Sequence, residues 1–179
     1  MITMPFKTMF ASFILLMSTS AFAQTALKTV PFVDVSRYLT TWYQISHNPM
    51  IFEGVCVCAR QVLSAGANGN VAVYNSCNDK TINGPIRDIR GTAVSEDPAT
   101  NARFTVDFGL PHKGEYWIIG LDPQYRYAVV SDPSKKSLYI LSQTPTLPPD
   151  LYQAAFAEAA AQVDTSHLEV TTQAGCTYP

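Results

Sequence analysis

The sequence predicts an all-β chain: an eight-stranded antiparallel up-and-down β-barrel with one C-terminal α-helix packed outside it. Three observations predict this. Short runs of alternating apolar and polar residues recur from Trp42 to Ser142, separated by turn residues. Only the stretch after Pro148 has helical spacing, so no helices are available as crossovers between parallel strands. Eight antiparallel strands then leave two edges of unpaired backbone, which closure into a barrel removes.

The elements follow in order. Asp34 can cap a short turn over Val35 to Leu39. A strand runs from Trp42 to Ser46 and stops at His47-Asn48-Pro49, because Pro cannot donate to a ladder. Cys56 to Leu63 and Val71 to Cys77 form a hairpin around the Gly- and Asn-rich turn at 64–70, whose residues accept positive φ. Ile86 to Val94 is the next strand, ended by Glu96-Asp97-Pro98. Arg103 to Phe108 alternates cleanly, with Phe104, Val106 and Phe108 on one face and Arg103, Thr105 and Asp107 on the other. Tyr116 to Leu121, Tyr125 to Ser131 and Ser137 to Ser142 complete the eight. Connections this short make sequence neighbours pair as a meander. Pro148-Pro149-Asp150 opens the helix, with Leu151, Ala155, Ala159 and Val163 at helical spacing. A last strand, Leu168 to Thr172, can add to an edge before Cys176.

The start of the chain reads differently. Lys7 precedes an apolar run, Met9 to Met17, and the segment ends Ala21-Phe22-Ala23. This is a secretory cleavage pattern, so residues 1–23 are expected to be a cleaved signal peptide and 24–179 a single barrel domain. No Cys follows the cleavage site to take a lipid anchor. The net charge is −2 with 15% charged residues, which offers no basic field for nucleic acid. Four cysteines in an exported chain favour two disulfides over a metal site, because oxidation removes the thiolates a metal needs.

Catalytic signals are sparse. His47, His112 and His167 are scattered, and no metal-binding His pair, nucleophile elbow or phosphate loop is present. The chain is therefore not read as an enzyme, and no cofactor and no metal are expected.

Three blocks carry a family resemblance: Tyr38-Leu39-Thr40-Thr41-Trp42-Tyr43, then Tyr116 to Asp122 continuing through Tyr127-Ala128-Val129-Val130, then Leu138 to Pro145. With them the chain resembles the lipocalins, most closely the bacterial outer-membrane lipocalins and apolipoprotein D, from about Val33 to Cys176. It departs from the family at Thr40, where Gly is usual, and at Gln143, where Arg is usual. The resemblance implies a lipocalin-like barrel plugged by Trp42, with Gln143 in the place of the Arg that packs over it. It implies disulfides Cys56–Cys176 and Cys58–Cys77; the swap, Cys56–Cys77 with Cys58–Cys176, stays open. It puts Asn75 and Tyr139 in the pocket. Alternation adds Val73 and Leu141, with Phe104, Val106, Phe108, Tyr116, Ile118 and Ile89 on other strands.

The expected function is an exported carrier, soluble in the periplasm of a Gram-negative bacterium. It would hold a small hydrophobic or amphipathic ligand such as a fatty acid or lysophospholipid in the barrel. Two other readings are an enzyme on the same barrel, an isomerase or lipid-modifying activity, and a cell-envelope interaction module with a filled barrel. The loop residues Met50, Ile51 and Phe52 could give peripheral membrane association. A monomer or a homodimer is expected.

Overall fold

The computed structural model describes residues 26–49 and 55–178. The expected signal peptide and the loop residues Met50, Ile51 and Phe52 lie outside them. The elements are α1 (Val35–Tyr38), β1 (Thr41–His47), β2 (Cys56–Ala65), β3 (Val71–Asp79), β4 (Ile86–Ser95), β5 (Arg103–Asp107), β6 (Gly114–Leu121), β7 (Tyr127–Ser131), β8 (Leu138–Ser142), α2 (Pro149–Ala160) and β9 (Glu169–Val170). The strands β1 to β8 pair in sequence order, all antiparallel. β1 also pairs with both β2 and β8, so the meander closes into a barrel.

Closure creates two separate apolar cores. One fills the barrel interior, including Trp42, Val73, Phe104, Val106, Ile118, Val130 and Leu141. The other lies outside, where Ile119, Val129, Leu138 and Ile140 meet Ala155, Ala159 and Val163 of the α2 region. β7 is consequently buried at every position, because lumen and helix cover its two faces. The alanines of α2 allow it to lie close against the sheet.

Several boundaries differ from the sequence reading for identifiable reasons. β7 starts at Tyr127 rather than Tyr125, because Tyr125 sits at φ +64° in the β6–β7 turn. Asp122 locks that turn. Its carboxylate accepts the N–H groups of Gln124 and Arg126 and a two-point contact from the Arg126 guanidinium at 2.7 and 2.8 Å. These bonds hold its pKa below the usual carboxylate range, the Arg126 side chain acting most. Thr40 has no positive φ, and its carbonyl accepts from Leu63 N–H at 2.9 Å, so the backbone does not require the family's Gly there.

The disulfides correct the preferred pairing. Cys56 bonds Cys77, and Cys58 bonds Cys176, not Cys56–Cys176 with Cys58–Cys77. Cys56 lies opposite Asp79, which shares a strand face with Cys77 two residues away, so Cys56 and Cys77 are diagonal neighbours. Cys58 sits in a bulge where the β2–β3 register shifts, at φ +57°. There its N–H turns to the Thr172 carbonyl of the C-terminal tail at 2.8 Å. Its side chain follows to Cys176.

Glu158 is the unusual group beneath α2. Oε1 accepts from the Tyr127 hydroxyl at 3.0 Å, while Oε2 is buried without a partner. Gly120 makes room for it, since a Cβ there would lie 2.0 Å from Oε2. Burial raises the Glu158 pKa, which the Tyr127 hydrogen bond only partly opposes.

Two predictions follow from these contacts. Cys58→Ser leaves one titratable thiol, on Cys176, whereas Cys56→Ser leaves one on Cys77; alkylation and peptide mass mapping distinguish them. Losing the Cys58–Cys176 link, which spans 118 residues, costs about 4–5 kcal/mol in the chain-entropy account. For Glu158 the folded pKa lies above the unfolded one, so its stabilising contribution is complete below the ordinary carboxylate range and is lost as pH rises through the raised value. Thermal melts across pH 4 to 8 should therefore show a slope that Glu158→Gln flattens, with a higher Tm than wild type at pH 7. An unchanged slope would contradict the assignment.

Candidate ligand-binding site

The closed end of the barrel is built on α1 and the start of β1. Asp34 caps α1 by accepting from Ser36 N–H at 3.0 Å. This sets Tyr38 one helical turn before Trp42. The indole is fully buried and its Nε1–H donates to the Tyr38 carbonyl at 3.0 Å. The Tyr38 ring lies 4.9 Å from the indole and 6.5 Å from Tyr125. Arg37 stacks its guanidinium 4.0 Å above the Tyr125 ring and donates to the Pro123 carbonyl at 3.2 Å. Gln143 joins this end through its backbone, its N–H donating to the Arg126 carbonyl at 3.2 Å. The cation stacked on an aromatic ring at this end of the barrel thus comes from α1.

Above this cap lies a cavity of about 20 Å³ lined by Val35, Tyr38, Leu39, Gln61, Leu63, Val71, Val73, Ala93, Phe104, Val106 and Tyr116. It has room for about one water molecule. A larger guest must displace lining side chains, of which Tyr38, Phe104 and Tyr116 are the bulkiest. Of the residues expected in the pocket, Val73, Phe104, Val106 and Tyr116 line this cavity. Ile118 and Leu141 are buried in the same interior cluster, with Phe108 and Tyr139 packed against it. Asn75 and Ile89 face each other on β3 and β4, both half-buried and on the inward register. They are not among the cavity's lining residues.

Sequence reasoning missed Val35, Tyr38, Leu39, Gln61, Leu63, Val71 and Ala93. For Leu63 and Val71 a signal existed: both share an inward face with Val73 once the β2–β3 register is known. The same register carries Gln61, opposite Asn75, to that face, whereas Tyr38 carried no signal because its place depends on α1 folding under the barrel.

The polar groups of the lumen form one chain. Tyr116 donates its hydroxyl to Gln61 Oε1 at 3.0 Å, and the Tyr38 hydroxyl lies 2.9 Å from that of Tyr116. Burial pushes both phenols well above their usual pKa, so both stay protonated. Among the described residues, no Asp, Glu, Lys, Arg or His lines the cavity or belongs to the interior cluster.

Comparison with known proteins agrees with this geometry. A family model described as a lipocalin-like domain matches residues 33–173. The chain belongs to the lipocalin family. It is 31% identical over 149 residues to the outer membrane lipoprotein Blc of Escherichia coli K12, covering 83% of this chain and 84% of Blc. It is 32% identical over 126 residues to apolipoprotein D of Bos taurus, covering 65% and 64% of the two chains. Among solved structures, the tryptamine complex of the amine-binding protein of Rhodnius prolixus superposes with a TM-score of 0.63 at 20% identity, covering 87% of this lipocalin and 90% of that chain. Lipocalins bind small hydrophobic ligands, which fits a cavity whose lining carries no charge among the described residues.

Trp42 makes the closed end testable. Trp42→Ala removes the indole from both the interior packing and its bond to the Tyr38 carbonyl. It should cost about 3–5 kcal/mol in urea unfolding; a loss under about 1 kcal/mol would show that the end is closed by other groups.

Proposed function

We propose that this lipocalin is an exported carrier that takes a small hydrophobic or amphipathic molecule, such as a fatty acid or lysophospholipid, into the barrel and shields it from water. The observation that carries this reading is the cavity lining, mostly apolar and without charge among the described residues, separated from the outer core by the barrel itself. Each CH₂ group withdrawn from water contributes about 0.8 kcal/mol, so a chain of moderate length can offset the rearrangement that a tight lumen demands. Export is supported by the leader pattern at 1–23 and the two disulfides, which persist in oxidising compartments. The relationship to Blc, an outer membrane lipoprotein, favours the bacterial envelope, with this chain working in the periplasm as the domain 24–179. The absence of acid or base groups from the cavity lining disfavours an enzyme on this barrel.

The small cavity favours one second reading, a filled barrel that works through its loops. Val55, Ile86 and Leu110 are exposed around the open mouth and would serve a membrane or protein contact. Displacement of a fluorescent amphiphile from purified protein decides between them. The carrier reading expects micromolar binding that Val106→Trp, inside the lumen, weakens about tenfold, a loss of ~1.4 kcal/mol, while Val94→Trp on the outer face leaves it unchanged. No binding of any acyl ligand up to high micromolar concentration would favour the filled barrel.

A further inference from the structure

Gln61 and Asn75 stand directly opposite each other on β2 and β3. Gln61 lines the cavity, and Asn75 shares the inward face of Val71 and Val73. Their side chains are complementary in what they leave unused. The single proton of Tyr116 goes to Gln61 Oε1, so Tyr38 donates to Tyr116. This relay occupies the Gln61 amide oxygen, so the polar group that the amide has left to offer a ligand is its NH₂ donor. Asn75 Oδ1 is buried without a hydrogen-bond partner. A donor and an acceptor thus lie side by side in an apolar wall, backed by two protonated phenols.

We infer that this pair is a subsite for an uncharged hydroxyl group, so that the lumen takes long-chain neutral alcohols in preference to carboxylates. The inference rests on the carrier reading and narrows its ligand class, placing neutral alcohols ahead of the fatty acids named there. A hydroxyl accepts from Gln61 Nε2 and donates to Asn75 Oδ1 at once. A carboxylate only accepts, so it would set its charge against the Asn75 and Gln61 oxygens. Among the described residues, no charged side chain lines the cavity to balance it. Ionisable groups on the inward register stand toward the mouth: His47 opposite Tyr139, and Arg87 opposite Cys77, paired with Asp79 at 3.6 Å. A site built from buried hydrogen-bonding groups rejects ligands that leave those groups unmatched.

The test is competition by dodecan-1-ol, dodecanamide and dodecanoate against N-phenyl-1-naphthylamine at pH 8 on the full purified protein. Dodecan-1-ol and dodecanamide should displace the probe at concentrations at least about tenfold below dodecanoate. Asn75→Leu and Gln61→Leu should each bring the ratio to within about threefold while the probe still binds. Equal or tighter binding of dodecanoate would overturn the inference and leave the carrier reading standing. An alcohol preference that survives both substitutions would also overturn it, since the pair would then not be its source. If either variant fails to fold, the wild-type order of the three ligands decides. If neither the probe nor any of the three binds, the carrier reading fails and this subsite fails with it.

Discussion

Strand β1 is hydrogen-bonded on both edges, to β2 over Thr41–Tyr43 and to β8 over Tyr43–His47, and this double pairing governs the rest of the molecule. It removes the last free edges of the meander, and it separates inside from outside. Once the sheet is closed, the alternation of each strand sorts side chains into a lumen and an outer shell. The two cores follow, as does the need for a helix, because the outer faces of β6 to β8 are too apolar to be left to water. Trp42 sits in the first turn of this closure, where α1 folds beneath the barrel and the indole can reach the Tyr38 carbonyl.

β1 and β2 pair only briefly and then part. The C-terminal tail fills the gap. β9 pairs with Ser46 and His47, Thr171 N–H donates to the Ile45 carbonyl, and Thr172 accepts from Cys58. Gln173 Nε2 then donates to the carbonyls of Gln44 and Ala59, at 2.8 and 2.7 Å, one on each side of the parting. Without it two buried carbonyls would be left unmatched, at about 1–3 kcal/mol each. The Cys58–Cys176 bond ties the wedge in place. The bulge at Cys58, the positive φ and the disulfide pairing are therefore one feature: β2 bends to admit the tail.

Period-two alternation made the strands legible in the sequence, because one face of each strand meets an apolar lumen. Phe104 and Val106 against Arg103 and Thr105 are the clearest case. The short turns made the meander legible too. What could not be read, beyond closure itself, was the detail set by two segments distant in sequence. The disulfide swap depends on a bulge that meets a tail more than a hundred residues later. The Tyr125 turn looks like strand continuation until Asp122 is seen to collect its backbone donors. Gln61 reads as an ordinary polar residue of an alternating strand; only its position under Tyr116 turns it into part of the lumen. Asn75 and Tyr139 entered through family resemblance, not through pattern. Gln143 was read as a substitute for the family's Arg, and the structure gives the stacked cation at that end to Arg37 over Tyr125 instead.

The narrow lumen and its polar chain act on a ligand in the same direction. A close-packed interior gives way only if the guest returns the contacts that lining side chains lose, and that return grows with the length of apolar chain buried. Length alone would admit any sufficiently long amphiphile, whichever end went in first. The Tyr38–Tyr116–Gln61 relay breaks that symmetry, since a methyl end driven to the bottom would leave the Gln61 NH₂ and Asn75 Oδ1 as they were, whereas a hydroxyl would satisfy both. On the proposed carrier reading, packing thus sets how much chain a ligand must carry, and the buried amides set which end leads.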